Sequence, residues 1–183
     1  MTREDAYALL TEHTKGMGLI KHALAVEAAM REYAKTMGED EHTWGIVGLL
    51  HDFDYEEFPS IDQHPMRGVQ ILQGKNYPEE IISAILSHAN YLDIPRNKPI
   101  EKCLYAVDEL SGFIIAVALV QPNKKLSEVS VKSVRKKMKD KAFARQVSRE
   151  DIIKGAELLG IDLDTHIQTV ILALQGIAGN LGL

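Results

Sequence analysis

The sequence holds a single cysteine, Cys103, so no disulfide can form within the chain, a usage that fits a reducing compartment. It has no run able to span a bilayer. Its most apolar stretch, Leu104 to Val120, is short and carries Asp108 and Glu109. The segment MTREDAYALL, with two acidic residues and no long apolar centre, does not read as a secretory leader. These absences predict a cytoplasmic protein without a membrane partner. Positive charge is not in excess: 21 Lys and Arg stand against 26 Asp and Glu, a formal charge of -5, which argues against nucleic acid as a partner. There is no repeat, no low-complexity tract, no alternating strand pattern of useful length and no linker long enough to separate two domains.

What is present is helical periodicity on an ordinary globular composition, 45% hydrophobic and 26% charged over 183 residues. Leu19, Ala23, Val26, Met30 and Met37 share one face, which predicts a helix over residues 17–37 ended by Gly38. Asp40 caps a second helix through TWGIVGLLHD, apolar on most sides and therefore buried. His64 occupies a cap position with Pro65 first in its helix, Pro78 opens PEEIISAILSHAN, and a long helix runs from Ile100 to about Val120, where Pro122 prevents continuation. REDIIKGAELLG and THIQTVILALQGIAGNL read as two more. The expectation is one all-α domain over 1–183 of about seven to nine helices: a core over about 17–120 and a helical extension over about 121–183.

Several of these helices carry a polar residue where a core residue belongs. His22 follows Leu19 by three and precedes Val26 by four. His88 follows Ile85 by three, Asp108 follows Leu104 by four, and His51-Asp52 closes the run GIVGLL. A single buried histidine or aspartate is usually just hydrogen-bonded to its neighbours. Several on separate buried helices point to a shared partner, and a divalent cation satisfies imidazoles and carboxylates together.

The order His22, His51-Asp52, Asp108 resembles the signature of the HD superfamily of metal-dependent phosphohydrolases, whose fold is an all-α helical bundle. His64-Pro65-x-x-Gly68-x-x-Ile71-Leu72 and Ile85-x-x-His88 resemble segments of its two-metal, HDIG-type members, and LYAVDELSGF places Asp108 like the family's last aspartate. The resemblance spans about residues 17–120. It implies that His22, His51, Asp52 and Asp108 bind a first metal, and that Asp52 bridges to a second held also by His64 and His88. It further implies that a water between the metals attacks a phosphate ester. Such mixed ligation suits iron, manganese, zinc, cobalt or nickel, with magnesium a poorer match. The cyclic di-nucleotide phosphodiesterase variant of the superfamily has a lysine just after the doublet and a paired His-His later. Here Phe53 follows Asp52 and Ala89 follows His88, so that activity is not implied. GFIIAVALVQP, with AFARQVSRE further on, resembles a widespread microbial subgroup.

The substrate expected is a small phosphomonoester or phosphodiester, nucleotides among the candidates. Asp52 is the expected catalytic carboxylate. Arg67, one turn beyond His64, is a candidate contact for substrate phosphate, although a plain surface arginine fits the sequence equally well. His13, His42 and His166 read as surface residues, and Asp54, Glu56 and Glu57 as a solvated acidic loop, with support of the metal ligands or proton donation as the lesser alternative. Residues 124–145 hold nine Lys or Arg against two acids, but Val131, Val134 and Met138 give them an apolar stripe, so the cations read as that helix's solvated face. The competing readings are a non-catalytic nucleotide or ligand sensor that keeps the metal fold, and a nucleic-acid binder using this basic run.

Overall fold

Capping residues set the helix boundaries in the computed structural model, which describes residues 1–183. Helix α1 (Arg3–His13) starts from a reciprocal cap: the Thr2 hydroxyl accepts from the Asp5 amide at 3.1 Å, and the Thr2 amide donates to the Asp5 carboxylate at 2.8 Å. Helix α2 (Met17–Met37) ends where Gly38 turns left-handed at φ 74°, a conformation costly for any residue with a Cβ. Helix α3 (Glu41–Leu50) is capped by Asp40, whose carboxylate accepts from the amides of His42 and Thr43 at 3.2 and 3.0 Å. There follow α4 (Met66–Gly74), α5 (Glu79–His88), α6 (Pro99–Leu119), α7 (Val131–Met138), α8 (Arg149–Leu159), α9 (Leu163–Gly176) and α10 (Ala178–Leu181). Single 3₁₀ turns lie at Asn90–Leu92 and Leu126–Glu128, and no strand is present.

The all-α expectation holds. The ten helices exceed the expected seven to nine for two local reasons. The apolar stripe of α1 is short, Ala6, Leu9 and Leu10, and diluted by polar neighbours. The last helical run breaks at Ile177, whose φ of -118° and ψ of 17° separate α9 from the four-residue α10. Helix α4 begins at Met66, one residue later than the sequence suggests, and the His64 side chain does not cap it.

Helix α2 lies against α3, α6 and α9, while α6 touches α2, α5 and α8, so the segments carrying His22, His51 and Asp108 meet at the centre. The tightest approach is at Gly48. A Cβ there would lie 2.8 Å from the Val26 carbonyl oxygen and 2.9 Å from Glu27 Cα, so α3 crosses α2 with almost nothing between the backbones. One apolar cluster runs from Ala6 and Leu10 through Val26, Leu50, Leu104 and Phe113 to Ile152, Ile167 and Leu174, joining α8 and α9 to the rest. Full burial of each such Leu, Ile or Phe is worth about 1.5–3 kcal/mol. In α7, Val134 is buried while Lys132, Arg135 and Lys136 are exposed, as is Lys139 just beyond it. No helix is long and apolar enough to cross a membrane.

His166 is not a surface residue. It is fully buried; the Tyr33 hydroxyl donates to its Nδ1 at 2.6 Å, and its Nε2 donates to the Ala106 carbonyl at 2.9 Å. The imidazole thus ties α9 to α2 and α6, and burial pushes its pKa below the usual histidine value. Position 166 shares the stripe of Leu163, Ile167 and Val170, which decides its fate over its polar neighbours. His42 is exposed, and His13 is half-buried against Glu57 at 3.0 Å.

Candidate metal centre

The GIVGLL run is buried because α3 packs on α2, and it delivers His51 at the C-cap with Asp52 in the turn that follows. Phe53, fully buried, anchors that turn, and the Thr14 hydroxyl donates to its carbonyl at 2.9 Å. His22 arrives from α2, Asp108 from α6, and His88 from the last residue of α5. His64 comes from the residue before the α4 cap. All six residues named from the sequence reach one region. They fall into two triads, His22, His51 and Asp108, and Asp52, His64 and His88, with the donor atoms of each triad within 4.8 Å of one another.

The triads adjoin. The rings of His51 and His88 meet edge to face at 5.6 Å. Asp52 looks both ways: its Oδ1 lies 3.1 Å from His88 Nε2 and 3.2 Å from His64 Nε2, while its Oδ2 lies 3.4 Å from His51 Nε2. On the other side, Asp108 Oδ1 lies 3.0 Å from His22 Nε2 and 3.4 Å from His51 Nε2. Asp52 and Asp108 remain about a quarter exposed, so the centre opens to solvent along its carboxylates.

Three of the imidazoles are oriented from behind. His51 Nδ1 donates to the Gly48 carbonyl at 2.8 Å, His88 Nδ1 to the Ile85 carbonyl at 2.5 Å, and His64 Nδ1 to Asp54 Oδ1 at 2.8 Å. Each bond leaves Nε2 as the forward-facing nitrogen, which is how protein imidazoles are prepared for metal ligation. His51 Nε2 is buried and has no hydrogen-bond partner. A buried polar atom left bare costs on the order of 1–3 kcal/mol, and a cation at this point would remove the penalty. That orphaned nitrogen, and a donor set of four imidazoles with two carboxylates, fit a pair of divalent ions.

The electrostatics agree. Burial pushes His51 down, but Asp52 and Asp108 outweigh it and hold its pKa well above the usual imidazole value. Burial opposes ionisation of Asp52, yet His51, His64 and His88 bring it well below the carboxylate range. For His64, burial is outweighed by Asp52 and Asp54, and its pKa rises to about 9. Without cations the site therefore holds protons in their place.

Asp54 overturns the reading of a solvated acidic loop. It is 1% exposed, and besides His64 it accepts from the Gly68 amide at 2.7 Å. Glu56 accepts from the amides of Lys15 and Gly16 at 2.7 and 2.9 Å and so closes the start of α2, and Glu57 meets His13. A Cβ on Gly68 would come within 2.8 Å of the Asp54 carboxyl carbon, so the glycine is what lets this carboxylate sit on the first turn of α4. Two tyrosines unassigned from the sequence flank His64. Tyr55 meets its ring edge-on at 5.3 Å, and Tyr91 donates to its carbonyl. Arg67 stands on the exposed side of α4, where its Nη1 donates to Gln70 at 3.1 Å.

The sequence profile of the HD domain matches residues 19–112, more than half of the chain and a span that holds all six candidate ligands. The chain belongs to the HD domain family. The resemblance drawn from the motifs to this superfamily of metal-dependent phosphohydrolases is thereby borne out. No curated protein and no solved structure matches the chain. The HD match ends at residue 112, inside α6, so α7 to α10 lie outside it.

Proposed function

We propose that the protein is a phosphohydrolase that uses two divalent cations, one held by His22, His51 and Asp108 and the other by Asp52, His64 and His88. The observation that carries this reading is the placement of Asp52, whose two oxygens face different triads at 3.1–3.4 Å. Cations bound there would acidify water and neutralise charge on a phosphoryl oxygen. The chain's own contribution is orientation. Asp54 and the carbonyls of Gly48 and Ile85 fix three rings with Nε2 forward, and the buried walls of α2, α3 and α6 keep water from the far side of the ligands. Asp52 is the catalytic carboxylate in this reading, since it alone connects the two triads. Arg67, exposed one turn beyond His64 with its Nη1 on Gln70, is the candidate contact for a substrate phosphate. The substrate is a small phosphomonoester or phosphodiester, nucleotides among the candidates, turned over in a reducing cytoplasm where buried Cys103 stays a thiol.

The test is reconstitution. The metal-free chain is loaded separately with Mn²⁺, Fe²⁺, Zn²⁺, Co²⁺, Ni²⁺ and Mg²⁺ and assayed on phosphomonoesters, phosphodiesters and nucleotides, alongside Asp52→Ala. The expected result is hydrolysis with at least one ion, and loss of both metal and turnover in the variant. A variant that kept its full metal content would refute the role given to Asp52. Metal binding without hydrolysis across the panel would favour the sensor reading.

A further inference from the structure

His88 closes α5, and the ten residues that lead from it to α6 carry no regular structure beyond one 3₁₀ turn. Such a segment needs outside support if a ligand at its start is to stay in place, because metal ligands act through fixed geometry. The support comes from Arg96 and Asp151. Arg96 Nη2 donates to the His88 carbonyl at 3.1 Å and to Asn90 Oδ1 at 2.8 Å, so one guanidinium nitrogen joins the end of α5 to the start of the 3₁₀ turn. Its plane lies over the Tyr105 ring with 3.9 Å from Cζ to centroid, a cation–π contact that holds it against α6. Asp151, in the first turn of α8, accepts from the Tyr105 hydroxyl at 2.7 Å and from Asn90 Nδ2 at 3.1 Å. The four side chains close a ring that begins and ends beside His88. They also form one wall of an open cavity of about 580 Å³.

We propose that Asp151 is a positioning residue for the metal centre: through Asn90, and through Tyr105 and Arg96, it holds His88 in register with Asp52 and His64. The inference rests on the assignment of His88 as a ligand, and it adds that the C-terminal extension, which lies outside the HD match, completes the second triad. Helix α8 is well placed for this. It packs along α6 at a glycine, Gly155, whose absent Cβ would meet Ala106 Cα at 2.6 Å, and the Ser148 amide donates to Glu109 at 3.1 Å. A close, doubly fixed helix can transmit position, which a loosely attached one could not.

Two measurements on the full chain separate this from the metal assignment. The first uses metal-free protein and the ring ¹H–¹³C signals of its histidines, with the His88 signal identified by its loss in His88→Ala. Asp151→Ala should shift or broaden the His88 signal and leave His22 in place. Tyr105→Phe, which keeps the ring under Arg96 and removes only the hydroxyl, should do the same more weakly. Lys154→Ala, in the same helix and outside the ring of contacts, should do nothing. An unmoved His88 signal in Asp151→Ala, with the protein folded, would overturn the proposal whatever the metal content. If Asp151→Ala fails to fold, Tyr105→Phe decides on the same signal. The second measurement is a Mn²⁺ titration by calorimetry. Asp151→Ala should weaken the second ion about tenfold and leave the first unchanged, the lower end of the range for residues that support a ligand. Two unchanged affinities would also overturn it. A wild-type chain that binds one ion while its His88 signal still responds to Asp151→Ala would count against the two-metal reading and for the positioning role.

Discussion

Asp54 accepts the Nδ1 proton of His64 at 2.8 Å and thereby decides which nitrogen of that ring faces Asp52. The carboxylate is almost wholly buried, and its second oxygen is used by the Gly68 amide. Asp54→Ala removes both contacts. His64 is then free to rotate, and a buried amide at the start of α4 is left bare, at a cost of about 1–3 kcal/mol. The expected outcome is a lower melting midpoint together with a 10- to 100-fold weaker second ion. Asp54→Asn, which keeps one acceptor oxygen, should recover part of both. Equal metal affinity in Asp54→Ala and wild type would show that His64 is held by its backbone alone.

Gly48 makes a different kind of prediction, about spacing. A methyl group there would press on the Val26 carbonyl and Glu27 backbone at 2.8–2.9 Å, and neither can yield without moving α2. Overpacking of this sort costs about 1–3 kcal/mol. His22 lies one turn before Val26 and His51 one turn after Gly48, so the same displacement opens the first triad. Gly48→Ala should therefore lower thermal stability and weaken the first ion more than the second. Denaturation curves and metal titration check both parts.

Arg67 and His64 sit one turn apart, and their variants should fail differently. Arg67 is exposed and touches no candidate ligand, so Arg67→Ala should leave metal content alone and raise KM if the side chain swings to substrate. His64→Ala should lower bound metal from two per chain toward one and reduce kcat by orders of magnitude. A kinetic profile of Arg67→Ala identical to wild type would return it to the status of an ordinary surface arginine.

Five of the six candidate ligands were legible because each breaks a pattern, while His64 stood out only through the resemblance of His64-Pro65-x-x-Gly68 to a family segment. His22, His88 and Asp108 interrupt apolar stripes, and His51-Asp52 ends a run with no polar face, so the sequence marks them as buried groups in need of a partner. The helical fold was legible for the same reason, through stripes and caps such as Asp40 and Gly38. Asp54 was ranked low because its neighbours Glu56 and Glu57 make the loop look solvated, and only the fold shows Gly68 brought beneath it. His166 had a signal, its place on the stripe of Ile167 and Val170, that was outweighed by its polar surroundings. Asp151 had none: a carboxylate in the first turn of a helix looks the same whether it faces water or, as here, Tyr105 and Asn90.

Protons and cations compete for the same atoms, which gives a pH prediction with a definite sign. In the metal-free chain His64 has its pKa raised from 6.5 to about 9 because Asp52 and Asp54 outweigh burial, and His51 is raised as well. A group raised on folding contributes stability that is complete below its unfolded value and disappears as pH passes its folded value. The metal-free protein should therefore lose stability as pH rises from about 6.5 toward about 9, as the His64 proton leaves the two carboxylates unneutralised. Metal affinity should move the opposite way, because a cation must displace that proton at neutral pH and no longer needs to near pH 9. The two trends cross: addition of Mn²⁺ should raise the melting midpoint little at pH 6 and much more at pH 8.5. Calorimetry in buffers of different ionisation enthalpy should show protons released on binding, fewer as pH increases. A metal-induced gain in midpoint that stayed constant over this interval would mean that the ions bind without displacing protons from His64 or His51, and would place them outside the two triads.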